Sequence, residues 1–517
     1  MGRNKHKKKL QTEQFSKTDV QKKSSRLTIV VGLLIVCAVF LFLSWQHISD
    51  PFIRVSEDTN GSNGLAAYNL TQYGFKSLKA GIYGSVLKNP ADAFGSFYTH
   101  HPFGFVLPTV LTYKLWGVSE MTTRLGPLLL SFLGLIAFYI AMLVIFESPL
   151  VAVFTSLSLA ILPGFVYYGK HFDMQPPALA FMLISYLFFL LNEKKPKSAY
   201  AWLFLLSIAS GGFVAWFYYF MPISIWIFIA FFKKGQSSPK RKLMLVAIPI
   251  ILLVAFSLNI LQFKTLNGPT ASKDLQGAFA LRSSSQTLGP WSARLFEVAK
   301  WNFSLAFLIF GIIGICAYIV VRKKHSSLQY LYPLFITPLL NMAVFRQWST
   351  HPFGLIFFLP LIAAATGILY FLLLEHVHIK NLSRTGGKIV LALCILGVGW
   401  YASSNQLAFF YDKFLIWGPQ DIRVIKEIKP QIKDGSLCLG QNPSGIGYGS
   451  IIQWYTNTKL SYSPDCLKKE TTRGALIFHP AMGDFFAKEA AAFEEVGLKP
   501  VGCADTICLL SRIKTKK

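Results

Sequence analysis

Residues 27–45 read LTIVVGLLIVCAVFLFLSW, an apolar segment that is long enough to cross a bilayer as a helix. Comparable apolar runs recur along most of the chain. Of the 517 residues, 53% are hydrophobic and only 15% are charged, against roughly 25% in an ordinary soluble domain. The mean hydropathy is +0.45. The sequence therefore predicts an α-helical multi-pass membrane protein.

The segment before this run, residues 1–26, is basic and polar, and we interpret it as a cytoplasmic tail. A secretory signal peptide would have a shorter apolar core and a cleavage site of small residues. Neither feature is present, so residues 27–46 are predicted to form an uncleaved first span.

Charge in the short loops sets the predicted topology. The strongly basic loops 193–197, 233–242, 322–325 and 380–388 all fall on the side of the basic N-terminus, as the positive-inside rule requires. The net charge of +27 is thereby explained without a nucleic-acid partner. We expect a plasma (inner) membrane protein with a cytoplasmic N-terminus and about eleven spans, near residues 27–46, 125–146, 150–168, 176–192, 199–213, 215–232, 243–262, 302–321, 328–345, 353–374 and 388–403.

Two large parts follow from this topology. Residues 27–403 form the transmembrane domain, with a long first outer loop at 47–123, and residues 404–517 form an extracytoplasmic domain. Helical and strand patterns alternate in the latter, which predicts a small α/β fold. Four of the seven cysteines lie there. A Cys503–Cys508 disulfide across a hairpin is our preferred pairing, and free thiols remain the alternative.

The predicted spans contain almost no ionisable residues. Ion-coupled transporters usually need such groups at the middle of the membrane, so the pattern argues against a transporter. The chain also has no P-loop, and no HExxH or paired Cys-x-x-Cys motif that would indicate a metal site. Polar residues lie at the outer ends of the spans, and any chemistry is therefore expected at the outer membrane surface.

The first outer loop begins with a pair of acids. Glu57 and Asp58 precede Asn60 just after the first span. A carboxylate at a membrane boundary is partly desolvated and suits a general base. The alternative is that an Asp or Asn here caps the following helix.

The second outer loop, residues 167–181, reads YYGKHFDMQPPALAF. It places Lys170, His171 and Asp173 just before Pro176, where a helix is predicted to start because proline favours the first helical turn. Helix N-termini attract phosphate. Interfacial anchoring by Lys170 is the alternative.

A His-Pro-Phe-Gly sequence occurs twice, in THHPFG at 99–104 and STHPFG at 349–354. The residue before a proline is held in extended geometry, so a helix is predicted to start at each proline. His100, His101 and His351 would then lie at outward helix starts. With the start at Pro176, three such starts would form an anion site, unless each His is only an interfacial polar residue.

Two arginines, Arg282 and Arg294, lie in the outer segment 263–301, against the usual side preference. Arginine suits bidentate binding of phosphate. An interfacial amphipathic helix anchored by Trp291 and Trp301 is the competing interpretation.

These motifs together resemble those of the C-type (GT-C) glycosyltransferases, the protein O-mannosyltransferase and lipid A aminoarabinose transferase group. The similar stretches occur in order over residues 27–375: EDTNG after the first span, a His-Pro motif leading into GVSEMTTRLGPLLLSFLGL, GKHFDMQPP before the fourth span, and THPFGLIFFLP before a late span. In two places the chain departs from the family. Many relatives have an acid where Gln175 falls, and His-Pro-Phe replaces the commoner His-Pro-Pro.

The resemblance implies an inverting transfer of a sugar from a polyprenyl-phosphate donor to an acceptor protein, lipid or glycan at the outer membrane face. Asp58 would be the base, with Glu57 in reserve. A divalent metal is left open as a cofactor. Membrane lipids are the other expected partners. The residues expected to bind substrate are Asn60, His100, His101, Lys170, His171, Asp173, Arg282, Arg294 and His351. Of these, Lys170, His171, Arg282 and His351 would stabilise the leaving phosphate.

Three other functions remain open at this stage. A glycan polymerase or ligase would have a similar topology, and a lipid-linked sugar transporter would have similar spans. A sensor would bind its ligand through residues 404–517.

Overall fold

The computed structural model describes residues 26–195, 197–232, 239–284, 287–376 and 386–415, followed by the shorter stretches 422–423, 425–426, 436–439, 448–458, 460–461, 472–478, 498–503 and 507–512. Two of the helical patterns that predict the extracytoplasmic α/β domain, near 421–428 and 484–497, lie largely or wholly outside these residues.

Helices dominate the described part of the chain. We number them α1 to α16 in chain order: Arg26–Trp45, Asp58–Ser77, Leu107–Trp116, Glu120–Phe146, Pro149–Ile161, Pro163–Tyr168, Gln175–Lys194, Ser198–Gly212, Phe220–Ile227, Pro239–Asn267, Thr270–Ser283, Leu288–Val321, Tyr332–Val344, Leu359–Phe371, Gly386–Ala408 and Tyr448–Thr456.

Seven helices in the described residues are long and apolar enough to cross a membrane: Arg26–Trp45, Glu120–Phe146, Gln175–Lys194, Arg241–Asn267, Leu288–Val321, Ile356–Leu374 and Gly386–Lys413. The protein is thus an integral membrane protein. Each of the seven coincides with a predicted span. The other four predicted spans consist of shorter helical pieces, so the total of eleven and the sidedness stay predictions.

Proline explains one of these broken spans. The predicted third span, 150–168, is two helices, α5 and α6, because Leu162 is extended and Pro163 starts the second helix. A proline in a helix interior removes a backbone hydrogen bond and clashes with the preceding turn.

The transmembrane helices approach one another closely where small residues face a neighbour. A Cβ atom added to Gly314 of α12 would collide with the backbone carbonyl of Ala365 in α14. Small residues allow such contact between helix backbones in a membrane. The contact fixes the position of α14, and His351 lies in the segment just before this helix.

The long segment between α1 and α4, the predicted first outer loop, is itself folded. It contains α2 and α3, and a buried 3-10 turn, Phe103–Val106, leads into α3. The N-terminal part of α2 packs against α16, a helix of the C-terminal part. The start of α2 is therefore covered by a helix that lies almost 400 residues later in the chain.

Among the described residues of the C-terminal part, five strands pair into one sheet, in the order β2-β1-β3-β5-β4. They are Ser436–Leu439, Leu460–Ser461, Thr472–Phe478, Leu498–Cys503 and Ile507–Arg512. β1 runs parallel to β2 and β3, whereas β5 is antiparallel to β3 and β4. Cys503 and Cys508 are direct partners in the β4–β5 register. The preferred disulfide itself stays a prediction.

Candidate functional site

Glu57, the first of the paired acids, is buried in an ion pair. Its Oε1 atom lies 2.5 Å from Nη2 of Arg124, and its Oε2 atom accepts hydrogen bonds of 2.9 Å from the backbone N–H groups of Ile53 and Arg54. Burial pushes the pKa of Glu57 upward, but the charges of Arg124 and Arg54 and the hydrogen bond from the Arg54 backbone outweigh it, and the net pKa falls below its usual value. Glu57 is therefore an ionised structural group and a poor proton acceptor.

Arg124 contacts other groups besides Glu57. Its guanidinium donates to the backbone carbonyls of Ile48 and Asp50 at 2.9 and 2.5 Å and lies 4.8 Å from the ring centre of Phe52. The side chain is fully buried. Arg124 thus folds the segment between α1 and α2 around itself and fixes the position at which α2 begins.

Asp58 is the first residue of α2 and differs from its neighbour. Its carbonyl oxygen accepts a 3.0 Å hydrogen bond from the Ser450 hydroxyl. No ion pair to its carboxylate is found among the residues that the structure describes. Burial and the charge of Glu57 raise the pKa of Asp58, against opposing hydrogen bonds from nearby backbone N–H groups. Of the two acids, Asp58 is the one suited to accept a proton. The helix-capping alternative is not seen, because no side chain caps α2.

The first turns of α2 also hold the loop before α7. Asn60 accepts a 2.6 Å hydrogen bond from the backbone N–H of Phe172, and Asn63 donates at 2.6 Å to the carbonyl of the same residue. Asn60 is therefore placed to shape the loop that carries Lys170, His171 and Asp173.

Asp173 is the second carboxyl group of the site. It is buried, and its pKa is raised to about 7 by burial and by the charge of Asp58, against a hydrogen bond from the backbone N–H of Met174 and the charge of Arg282. When its amide is oriented by the hydrogen-bond pattern, Gln175 donates to both carboxylate oxygens at 3.0 and 3.3 Å. Gln175 thus contacts Asp173 directly.

Lys170 and His171 are turned inward. The Lys170 ammonium donates to the carbonyls of Ser44 and Gln46 at the end of α1 and lies over the ring of Tyr411. Burial lowers the pKa of Lys170. Burial also lowers the pKa of His171 to about 3, so its ring is neutral. Binding of phosphate by Lys170 and His171 stays a prediction. The contacts of Lys170 favour a structural role for this residue.

Arg282, at the end of α11, is a cation that influences residues of three separate segments. Its charge lowers the pKa values of His100, His101 and His351, secondary to burial in each case. It also opposes the rise in the pKa of Asp173. The guanidinium lies 5.1 Å from the ring of Trp348. Arg282 therefore faces the first loop, the loop before α7 and the segment before α14.

The two His-Pro-Phe-Gly copies differ in structure. After Pro102 a 3-10 turn begins at once and continues into α3, and α7 begins at Gln175 with proline in its first turn. Both of these starts were predicted. The start predicted at Pro352 is wrong, because residues 351–355 form turns and α14 begins only at Leu359, after a 3-10 turn at 356–358. The Pro352 carbonyl instead accepts a hydrogen bond of 2.7 Å from Asn302.

The histidines consequently occupy different environments. His101 is buried between the rings of Tyr98 and Phe217. The surrounding protein partly desolvates the ring of His351 and lowers its pKa, but the residue keeps a solvent-exposed side, and its ring lies 4.6 Å from that of Trp348. Of the two, only His351 is open to a ligand. His100 is partly exposed beside Tyr98.

Arg294 lies on the first turns of α12. Its guanidinium pairs with Glu297 at 2.6 Å and covers the ring of Trp301 at 4.7 Å. Its charge still contributes to the lowered pKa of His351, after burial and Arg282. Arg294 is therefore at the edge of the site.

A narrow cavity joins two of these segments. Its walls come from the α6–α7 loop and from the segment before α14, namely Tyr168, His171, Asp173, Gln175, Pro176, Phe353 and Ile356. The loop and the segment thus line one narrow space, which contains residues near two of the three predicted helix starts, Pro176 and Pro352, and none near Pro102. The anion site itself stays a prediction.

Metal ligands do not gather here. Within the described residues, no three His, Cys, Asp or Glu side chains lie close enough together to hold a metal ion. The two carboxyl groups, Asp58 and Asp173, supply at most a partial ligand set.

Sequence reasoning missed three members of the site: Arg124, Tyr98 and Gln175. Arg124 could have been found, since a lone arginine at the outer end of an apolar span needs a buried acid as partner. The role of Tyr98, which contacts Arg282, depends on folding of the first loop and left no sequence signal.

No protein-family model matches the chain, and no curated protein matches it significantly in sequence. Solved structures, however, share its fold. ArnT from Cupriavidus metallidurans bound to undecaprenyl phosphate is similar over 93% of this chain and 98% of its own, with 13% identity and a TM-score of 0.60.

Archaeal oligosaccharyltransferase AglB from Archaeoglobus fulgidus, in complex with an inhibitory peptide and a dolichol-phosphate, is similar over 91% of this chain and 70% of its own, with 12% identity and a TM-score of 0.58. An oligosaccharyltransferase from the same organism in complex with Zn and sulfate covers 91% and 69%, at 13% identity and a TM-score of 0.59. The resemblance to C-type glycosyltransferases is thus confirmed at the level of the fold.

Proposed function

We propose that this protein is an inverting glycosyltransferase that moves a sugar from a polyprenyl-phosphate donor to an acceptor at the outer membrane face. The observation that carries the proposal is the difference in environment between the two adjacent acids. Glu57 is locked in an ion pair with Arg124, whereas Asp58 has a raised pKa at the site where Arg282 and Asp173 also meet.

The reaction places Asp58 as the general base. It accepts the proton of the acceptor hydroxyl or amine while that atom bonds to the anomeric carbon of the sugar. The bond from this carbon to the phosphate oxygen breaks, and polyprenyl phosphate leaves from the opposite side. The configuration at the anomeric carbon therefore inverts.

Charge on the leaving phosphate needs a preorganised cation. Arg282 is best placed to supply it, since its guanidinium acts on groups from three separate segments. His351 lies exposed beside the same Trp348 ring that Arg282 covers and offers a neutral hydrogen bond. Asp173, whose pKa is raised to about 7, is partly protonated near neutral pH, which reduces the negative charge beside Asp58.

The proposed steps use no metal. The oligosaccharyltransferase named above was solved with Zn and sulfate. In this chain Asp58 and Asp173 are the carboxylates that would contact a divalent cation at the same site, and they would do so without the third ligand of a closed protein site.

Mass spectrometry of surface glycans, lipids and proteins tests the proposal. Cells that lack the protein are compared with cells that carry the wild type, Asp58→Asn or Asp92→Asn. Asp92 is an exposed acid of the same loop and serves as the matched control. We expect one sugar modification to be lost without the protein, restored by Asp92→Asn and not restored by Asp58→Asn.

Two outcomes would overturn the proposal. Normal modification with Asp58→Asn would remove Asp58 as the base. Movement of a lipid-linked sugar across vesicles by the purified protein, without transfer of the sugar, would instead establish a transporter.

A further inference from the structure

A cleft lies beside the candidate site, between the membrane part of the protein and α16. It encloses about 470 Å³ and is lined by residues of α2, of the start of α4 and of the C-terminal part. That volume falls within the range of about 300 to 1,000 Å³ that is usual for ligand pockets. The function proposed above gives this cleft no role.

The cleft follows the helix that carries Asp58. Leu65 and Tyr68 line it, seven and ten residues after Asp58. Leu65 lies about 20° and Tyr68 about 80° from Asp58 around the α2 axis, about 10 and 15 Å along the helix. A molecule that occupies the cleft therefore lies on the helix that carries the proposed base, beyond the point where Gly61 packs against Ile451.

The wall opposite α2 is held firmly. A Cβ atom on Gly61 would come within 3.0 Å of the Ile451 backbone, and one on Gly64 within 2.8 Å of the Trp454 indole nitrogen. The Tyr455 hydroxyl also accepts a 2.9 Å hydrogen bond from the backbone N–H of Phe52. Because α2 and α16 touch in this way, the cleft keeps its shape without a ligand.

The lining is aromatic and polar, and its charges balance. Tyr68, Trp454 and Tyr455 supply ring surface. At the rim Lys426 pairs with Glu120 at 3.1 Å and lies over the ring of Tyr455. A matched pair of charges offers donors and acceptors together but no net attraction for an anion or a cation.

We infer that the cleft binds a neutral saccharide, and, if the proposed function holds, that this saccharide is part of the acceptor. The apolar C–H face of a sugar ring packs on aromatic side chains, while its hydroxyl groups pair with carboxylate, ammonium and amide groups. Asn457, exposed at the end of α16, supplies such an amide. The acceptor is accordingly a glycan or a glycosylated molecule.

Saturation-transfer NMR on the full-length protein in nanodiscs tests the inference directly. The probes are methyl glycosides of glucose, mannose, galactose and N-acetylglucosamine, together with a neutral acetylated hexapeptide. Val118→Trp fills the cleft from the loop before α4, and Asn457→Trp fills it from α16. Lys114→Trp is the control, since Lys114 is exposed on α3 and does not line the cleft.

We expect at least one glycoside to bind the wild type and Lys114→Trp, and to bind about tenfold more weakly, or not at all, to a correctly folded Val118→Trp or Asn457→Trp protein. The absence of glycoside binding to the wild type would overturn the inference. So would equal binding to the filled variants, or binding of the hexapeptide alone.

The same measurement on Asp58→Asn separates this inference from the proposed function. Asp58 lies outside the cleft lining, so glycoside binding should be unchanged in that variant. If Asp58→Asn retains transferase activity, the proposed base is wrong while the saccharide site stands. If Asp58→Asn is inactive and no glycoside binds, the saccharide site fails alone.

Discussion

Replacing Glu57 by Gln tests the separation of roles between the paired acids. In the wild type the Glu57 carboxylate lies 2.5 Å from Arg124, and the exposed fractions of the two side chains are 3% and 1%. Glutamine keeps the size of the side chain and removes its charge. The Arg124 guanidinium is then left buried without its counter-charge.

Removal of one partner from a buried ion pair costs about 3 to 5 kcal/mol. We expect the full amount here, because neither side chain can reach water and the backbone bonds to Ile53 and Arg54 also weaken when the carboxylate becomes an amide. The apparent unfolding midpoint of the purified protein should drop by several degrees. In Glu57→Gln/Arg124→Met, which removes both charges, much of the loss should be recovered.

Thermal unfolding in detergent, followed by tryptophan fluorescence, measures this effect, with Asp58→Asn as the control. Asp58 has a raised pKa, so its removal should leave stability unchanged or slightly higher while activity is lost. The deficit of Glu57→Gln should shrink as the pH falls below about 4.5, the usual pKa of the group, because the unfolded wild-type chain then binds a proton at Glu57 that the folded protein does not yet bind. A stable but inactive Glu57→Gln protein, together with an active Asp58→Asn protein, would refute the reasoning and exchange the two roles.

Three further predictions concern other parts of the site and fold. Arg282→Gln should raise the KM for the lipid-phosphate donor at least about tenfold, whereas Arg294→Gln, whose arginine is held by an exposed pair at the edge, should change it little; steady-state kinetics with the two variants compares them. The folded pKa of Asp173 is raised to about 7, so its contribution to stability is present at acid pH and is lost as the pH rises through 7. Asp173→Asn should therefore unfold at a higher temperature than the wild type at pH 8, and the difference between the two midpoints should be smaller at pH 5. Gly314→Val should lower the unfolding midpoint, since its side chain would collide with the backbone of Ala365; an unchanged midpoint would contradict the close helix contact.

Much of the membrane architecture could be predicted because it depends on local composition. A run such as residues 27–45 must be a helix in a bilayer whatever surrounds it, since its backbone polar groups have no other partners there. The predicted helix starts at Pro102 and Pro176 also followed from local geometry. The start at Pro352 failed because the Pro352 carbonyl is bound by Asn302 of a different helix, a contact that no local pattern reveals.

The candidate site was predictable in its residue types and less so in their roles. Glu57 and Asp58 are adjacent acids, and only the position of Arg124, some 67 residues away along the chain, makes Glu57 an ion-pair partner and leaves Asp58 as the proposed base. Lys170 reads as a phosphate ligand in sequence. In the structure its ammonium is occupied by the carbonyls of Ser44 and Gln46.

By itself, then, the sequence determined that the chain is an integral membrane protein, where its long apolar helices lie, and which polar segments between them are candidates for chemistry. The first two properties depend on the transfer of short stretches from water to lipid, which each stretch settles alone. Only the tertiary structure decided which acid is paired with a buried cation, which histidine stays exposed and which cleft adjoins α2. Such choices depend on burial and on charge pairs between residues far apart in the chain, and they exist only after the helices and the C-terminal part have packed together.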